Sequence, residues 1–329
     1  GRIDEPLAMT EAARQVLAAL LGDGAARAIG DLATTQQQAR RAQVSRRVQQ
    51  RSLAYGQAVA AAVLARAAAD GFAQRGEHAY TPDDAPHAWK PTSGGSGSPL
   101  EPGWGTLAPF FLRSADECAP PAPVAFSTEP GSPFYEEARA VYVADGNAQA
   151  EHDHIARYWA DLPGESATPA GHWLALAGQL LREREADLAT TTATLAATTL
   201  AMGDAFISCW HAKYATNLLR PETYIRAYID AAWTPRLRTP SFPEYTSGHS
   251  VASAAAADML AASLGGGPVT DRTAPGFAPR TFSSLRAAAD EAAVSRLYGG
   301  IHYPMGITAG LAQGRCIAER AQERLALPR

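Results

Sequence analysis

The stretch Phe242-Pro243-Glu244-Tyr245-Thr246-Ser247-Gly248-His249-Ser250 runs straight into Val251-Ala252-Ser253-Ala254-Ala255-Ala256-Ala257-Asp258-Met259-Leu260. Alanine is the strongest helix former, so the second half predicts a helix. Ser247 is a suitable N-cap, which puts Gly248, His249 and Ser250 in the first turn. A helix start presents unpaired backbone N–H groups and the positive end of the dipole, a setting suited to an oxyanion. Alone, Ser-Gly-His is a weak motif, and a satisfied surface histidine beside a cap is the commoner reading.

Working outward, long Ala/Leu stretches without β-branched alternation predict an all-α protein, a bundle of eight or more helices with one long irregular segment. The chain has 329 residues, enough for a substantial core, and reads as one α-helical domain over 1–329. Within it, 1–70 are N-terminal helices, 71–133 a Pro/Gly-rich loop segment, and 134–329 the helical core. The first region starts a helix at Thr10 and continues from Thr34 to Asp70, with Arg40, Arg41, Arg46, Arg47 and Arg51 on a solvated face. The loop segment carries a flexible Ser93–Ser98 run, whereas Trp89, Trp104, Phe110 and Phe111 predict order around it. Later helices are expected over Ala148–Trp159, Asp187–Leu219, Ser283–Leu297 and Ile307–Leu327.

With a net charge of −4 nothing suggests nucleic acid or an anionic membrane surface as partner, so any anion site must be built locally. No apolar run suggests a membrane span. The chain opens at Gly1-Arg2-Ile3-Asp4, as a removed leader or tag would leave it; a soluble protein is the expectation, with its compartment, secreted and periplasmic included, left open. Cys118, Cys209 and Cys316 lack metal-type spacing, cannot all pair within one chain, and read as structural thiols.

Charge is placed where it is costly in two further patches. Lys213 and Arg220 are seven residues apart, two helical turns, and so share a face of an apolar helix that Pro221 ends. Arg296 and His302 would diverge on a continuous helix, but Gly299-Gly300 lets the chain turn both into one pocket. Three cations, a helix N-terminus and two histidines then converge, more positive charge than packing in an acidic protein requires.

Lys-x6-Arg-Pro at 213–221, Ser-Gly-His at 247–249 and Ser-Arg-x5-His at 295–302 resemble, in order, the three signature motifs of the vanadium haloperoxidase and type 2 phosphatidic acid phosphatase superfamily. The resemblance extends from about Pro99 to the C-terminus, taking in Tyr158–Asp161 and Thr168–Trp173. It implies vanadate as cofactor, with phosphate able to occupy the same site. His302 would be the axial vanadium ligand, or the nucleophile toward phosphorus. Lys213, Arg220, Arg296, the Ser247 hydroxyl and the Gly248 N–H would hold the oxyanion, and His249 would be the general acid/base. Trp210 and Phe242 resemble aromatics on the halide side of such sites, with core packing the alternative.

The implied activity is haloperoxidation, with hydrogen peroxide and halide as substrates; a phosphatase acting on a small phosphoester through phosphohistidine is the alternative. A homo-oligomer is an expectation carried over from soluble relatives. The chain departs from the family at Gly306, where many members have an acid four residues after the ligand histidine. The second ring nitrogen of His302 is then left to a backbone carbonyl or an acid distant in sequence. Asp161 and His172 read as residues supporting the site or lining its channel, or else as helix and loop caps, with Asp161 expected to pair with an arginine.

Overall fold

The computed structural model describes the chain except residues 82, 93–96, 147–149, 163, 165 and 327–329. The expectations for Ser93–Ser96, and for helix limits at Ala148 and Leu327, fall outside the described residues. Among those described are eleven α-helices and one two-stranded hairpin, in two compact units, Gly1–Ala73 and Gln74–Arg329.

The first unit holds α1 (Glu5–Leu21), α2 (Asp23–Arg41) and α3 (Arg46–Ala68). The first helix starts earlier than Thr10 because Asp4 caps it, accepting from Leu7 N at 3.1 Å, with Pro6 in the opening turn. Buried Asp4 also takes the guanidinium of Arg40 at 2.9 Å, so one of the arginines expected in solvent is structural. Gly56 lets α3 cross α1 closely, since a Cβ there would lie 2.3 Å from the Ala8 carbonyl. Within Arg46–Glu77 an 18-residue window reaches a mean hydropathy of 1.2, enough to cross a membrane by length and composition alone. That corrects the expectation of no such run: many alanines, with Leu53, Val59, Val63 and Leu64 among them, raise the hydropathy.

The second unit is built around α9 (Gly248–Leu264), whose residues Ser250–Leu260 are buried on every side. Its side chains are small, so neighbours pack all round it: α7 (Leu188–Thr216), α10 (Leu285–Tyr298), α11 (Pro304–Leu325) and α6 (Pro169–Glu183). The closest approach is to α11, where Cβ atoms on Gly310 and Gly314 would fall 2.8 Å from Ser250 Cβ and 2.2 Å from the Val251 carbonyl. Helices α4 (Pro133–Gly146), α5 (Ala150–Tyr158) and α8 (Pro221–Tyr228) complete the unit.

Strands β1 (Val269–Asp271) and β2 (Arg280–Phe282) pair antiparallel, Val269 opposite Phe282. Three residues per strand are too few to show alternation, and the hairpin was not legible in the sequence.

The loop segment is tied down by polar contacts as well as aromatics. Asp204, buried on α7, accepts from the backbone N–H groups of Phe110, Phe111 and Leu112 at 2.6–2.8 Å. Trp89 is buried, and its N–H donates to the Asn217 carbonyl. Cys118 and Cys316 form a disulfide between this segment and α11, correcting the expectation that the cysteines are mostly thiols; Cys209 is a buried free thiol.

Candidate active site

The N-terminus of α9 forms one wall. Ser247 caps it, its Oγ accepting from Ser250 N at 3.4 Å, which leaves the hydroxyl proton to donate elsewhere. Ser247 N donates to the Gly306 carbonyl at 3.0 Å, joining this wall to the start of α11.

Lys213 and Arg220 reach the same place by a route other than a shared helical face. Helix α7 ends at Thr216, where Asn217 takes a left-handed conformation (φ 47°), and Arg220 is extended as the N-cap of α8. Pro221 disfavours a helical Arg220, so the break comes before the arginine.

Lys213 is fully buried and donates to the carbonyls of Pro243 (3.0 Å), Glu244 (2.8 Å) and Thr246, so its three N–H groups shape the segment leading into α9. Burial lowers its pKa to about 7, with the charge of Arg220 acting the same way. Arg220 donates from Nε to the Phe242 carbonyl and from Nη1 to the Ile301 carbonyl, both at 2.8 Å. Arg296, also buried, donates from Nη1 to the Trp159 carbonyl. Burial pulls both guanidinium pKa values down to about 10, still cationic at neutral pH.

His302 follows the Gly299-Gly300 turn between α10 and α11, with Gly300 at φ 74°. Its Nδ1 lies 2.7 Å from Glu244 Oε1, which also accepts from Tyr303 N at 3.0 Å. Glu244 is therefore the acid that Gly306 lacks. A Cβ on Gly306 would sit 2.4 Å from Oε1, so glycine makes the room this carboxylate fills. The carboxylate puts the imidazole proton on Nδ1 and turns the Nε2 lone pair inward, where Arg220 Nη1 lies at 3.2 Å. Burial, then the charges of Arg220 and Lys213, holds the His302 pKa well below its usual value, so the ring is neutral. Glu244 was missed in the sequence although it lies in the stretch first quoted; its partner is 58 residues away.

His249 projects from the first turn of α9, its Nε2 3.8 Å from Asp161 Oδ2. Burial and the charge of Arg296 keep it neutral. Among the described residues Asp161 makes no direct ion pair with an arginine, although its charge acts on Arg296 and opposes the effect of burial there. Its Oδ1 meets His172 Nδ1 at 3.0 Å, while His172 Nε2 meets Asp271 Oδ2 at 2.8 Å. Burial alone would neutralise His172, but the two carboxylates outweigh it and raise its pKa to about 9. Tyr158 OH donates to Asp271 at 2.7 Å, and Thr273 donates through N and Oγ1. A charged imidazole clamped between two acids thus stands behind Asp161. Asp271, on the unanticipated hairpin, gave no sequence signal.

A cavity of about 460 Å³ opens onto Gly248, His249, Arg296 and His302. Trp210 and Phe242 are in its wall, their ring centroids 4.9 Å apart, with Lys213 Nζ and Arg220 Cζ 4.9 and 4.8 Å from the Phe242 centroid. The structure thus brings together the eleven residues singled out beforehand, with Lys213 behind the wall, Asp161 in the lining beside His249, and His172 behind Asp161.

A family model for the VCPO second helical-bundle domain matches residues 193–327, which hold all three motifs. The structure of a bacterial vanadium-dependent iodoperoxidase is 36% identical over 99% of this chain and 80% of its own, with a TM-score of 0.89. The chain belongs to the vanadium haloperoxidase superfamily. Holo- and apo-type structures of a bacterial vanadium-dependent chloroperoxidase share the fold at 16% identity, with TM-scores of 0.74 and 0.72. They cover 97% of this chain, which spans 82% and 83% of theirs. A search of curated protein sequences finds no match.

The donors fit the superfamily's oxyanion. Arg220 Nη2, Arg296 Nε and His249 Nε2 are buried polar atoms that no other described residue satisfies, and such atoms are costly unless something pairs with them. Two cationic donors beside a neutral imidazole and a helix N-terminus suit a multiply charged anion.

Proposed function

We propose that this protein is a vanadium-dependent haloperoxidase that oxidises halide with hydrogen peroxide, with vanadate held on His302. The unsatisfied Arg220 Nη2 and Arg296 Nε beside an inward-facing His302 Nε2 carry this reading. When bound, vanadate supplies the Lewis-acidic centre at which peroxide is activated toward halide.

The chain's own residues do the rest. Arg220, Arg296, the Ser247 hydroxyl and the Gly248 N–H offset the charge on the oxyanion. Being fixed by backbone carbonyls and a helix start, they need no reorganisation when it arrives. Lys213 keeps the 243–246 segment in the shape that aims these donors, and its charge adds to the field. His249, neutral at the cavity floor, takes a proton from peroxide, and Asp161 stabilises the imidazolium that results. Trp210 and Phe242 keep water from the halide's side.

The test loads the protein with orthovanadate and measures peroxide-dependent oxidation of iodide, bromide and chloride, with aryl phosphate hydrolysis measured on the vanadate-free form. Halide oxidation abolished by His302→Ala is the expected result. Aryl phosphate hydrolysis inhibited by vanadate, without halide oxidation, would make the protein a phosphatase instead.

A further inference from the structure

Asp161 lines the cavity beside His249, its Oδ2 3.8 Å from Nε2. That is too long for a hydrogen bond but within reach of an ion pair, so the carboxylate answers to a charge on His249 rather than to the neutral ring. Its backbone is left-handed, φ 48°, which a residue other than glycine adopts at a cost. What fixes the carboxylate lies behind it. Asp271 is anchored at the far end: Oδ1 takes Thr273 N and Oγ1, and Oδ2 takes Tyr158 OH and His172 Nε2. The His172 ring stacks on Trp159, centroids 4.6 Å apart, and its Nδ1 holds Asp161 Oδ1, which leaves Oδ2 for His249.

An amide at position 172 would give Asp161 the same hydrogen bond without a charge. An imidazolium is costly here twice over, being buried and in the first turn of α6, at the positive end of the dipole. Both carboxylates are needed to keep it charged against that burial. Tyr158 also faces the ring, with Arg280 beyond it. What the costly choice supplies is a positive charge on the side of Asp161 remote from His249. Around His249, burial disfavours an imidazolium, and so do Arg296 of α10, His172 and Lys213 of α7; Asp161 favours one, and neutral His302 lies across the cavity. Without His172, Asp161 would draw a proton onto His249 from water, before any substrate arrived.

We propose that His172 is a positioning residue for proton transfer at His249: its imidazolium fixes the Asp161 carboxylate and offsets its charge, so that the His249 ring stays neutral until peroxide gives up a proton. The inference rests on the haloperoxidase reading for the identity of the proton donor, not for the arrangement of charge. One proton moves, from a peroxide oxygen to His249, and the protonation of Asp161, His172 and Asp271 does not change. The new imidazolium then finds Asp161 Oδ2 already in place.

The test follows the histidine ring nitrogens by NMR in vanadate-free protein and phosphate-free buffer. Triiodide formation by the vanadate-loaded forms is measured against pH separately. In the wild type both ring nitrogens of His172 should carry protons at about pH 7.5. In His172→Gln, His249 should bind its proton at least about tenfold more tightly, a rise of one pH unit or more. The acid limb of kcat/KM for peroxide should move upward with it, because only neutral His249 accepts a proton. Asp271→Asn contacts neither His249 nor Asp161; there His172 should lose its proton by about pH 8, and above that pH His249 should shift the same way by less. The wild-type spectrum decides the charge of His172 whether or not either variant folds. A neutral His172 in the wild type, or His249 unmoved in a folded variant, overturns this inference, and triiodide formation then leaves the proposed function standing. The His249 shift without triiodide from any form overturns the proposed function and leaves the role of His172 in setting the His249 charge standing.

Discussion

Glu244 and Gly306 share one place: the carboxylate oxygen lies 2.4 Å from where a Cβ at position 306 would be. The acid expected at position 306 is supplied instead by Glu244, from the segment before α9. Glu244→Ala should therefore weaken vanadate binding by roughly 10–100-fold although the residue touches no bound oxygen. Adding Gly306→Asp to that variant should restore most of the affinity. Equilibrium dialysis of the apoprotein against orthovanadate measures both, and wild-type affinity in Glu244→Ala would show that His302 needs no carboxylate.

Lys213 acts as a structural cation, all three of its N–H groups being taken by backbone carbonyls. Its replacement by Met leaves the carbonyls of Pro243, Glu244 and Thr246 buried without their donor, at about 1–3 kcal/mol for each one left unpaired. Urea unfolding of the vanadate-free protein should show the loss. An unchanged midpoint would mean that Lys213 acts only on the anion.

The Asp161–His172–Asp271 clamp has a defined pH window. The His172 pKa is raised from 6.5 to about 9, so its stabilisation is complete below about pH 6.5 and is lost as pH rises through 9. Asp271 is displaced the other way, to about 2, because His172, Thr273 and Tyr158 outweigh its burial; its share is lost as pH falls below 3.8 toward 2. Thermal unfolding of wild type and His172→Gln should therefore differ most between about pH 4 and 6.5 and converge above pH 9. A gap constant with pH would show that His172 contributes packing alone.

Gly314→Ala should destabilise the protein by about 1–3 kcal/mol, since the added methyl meets the Val251 carbonyl, which is backbone and cannot step aside. A variant as stable as wild type would mean that α9 and α11 can separate.

The all-α architecture was legible because Ala-rich runs and Gly/Pro breaks are local signals, and the three motifs were legible because each is short and internally spaced. What stayed hidden was set by contacts between distant segments. Glu244 looked like a loop acid until Gly306 was seen to yield to it, and Asp271 lay in a strand of three residues. The disulfide could not be told from free thiols when an odd cysteine remained. Lys213 and Arg220 were rightly put together by an argument from helical spacing that the left-handed Asn217 invalidates.

The central helix has a last consequence, which follows from its being encased on all sides. With the glycines of α11 pressed against its backbone, α9 can neither slide nor turn without opening the core, so the donors at its tip have one setting. A fixed gauge of this kind sorts its occupants by size. An oxyanion would be admitted or refused by how closely its oxygens match spacings already set, and adaptation to a new one would have to come from the loops around the cavity mouth.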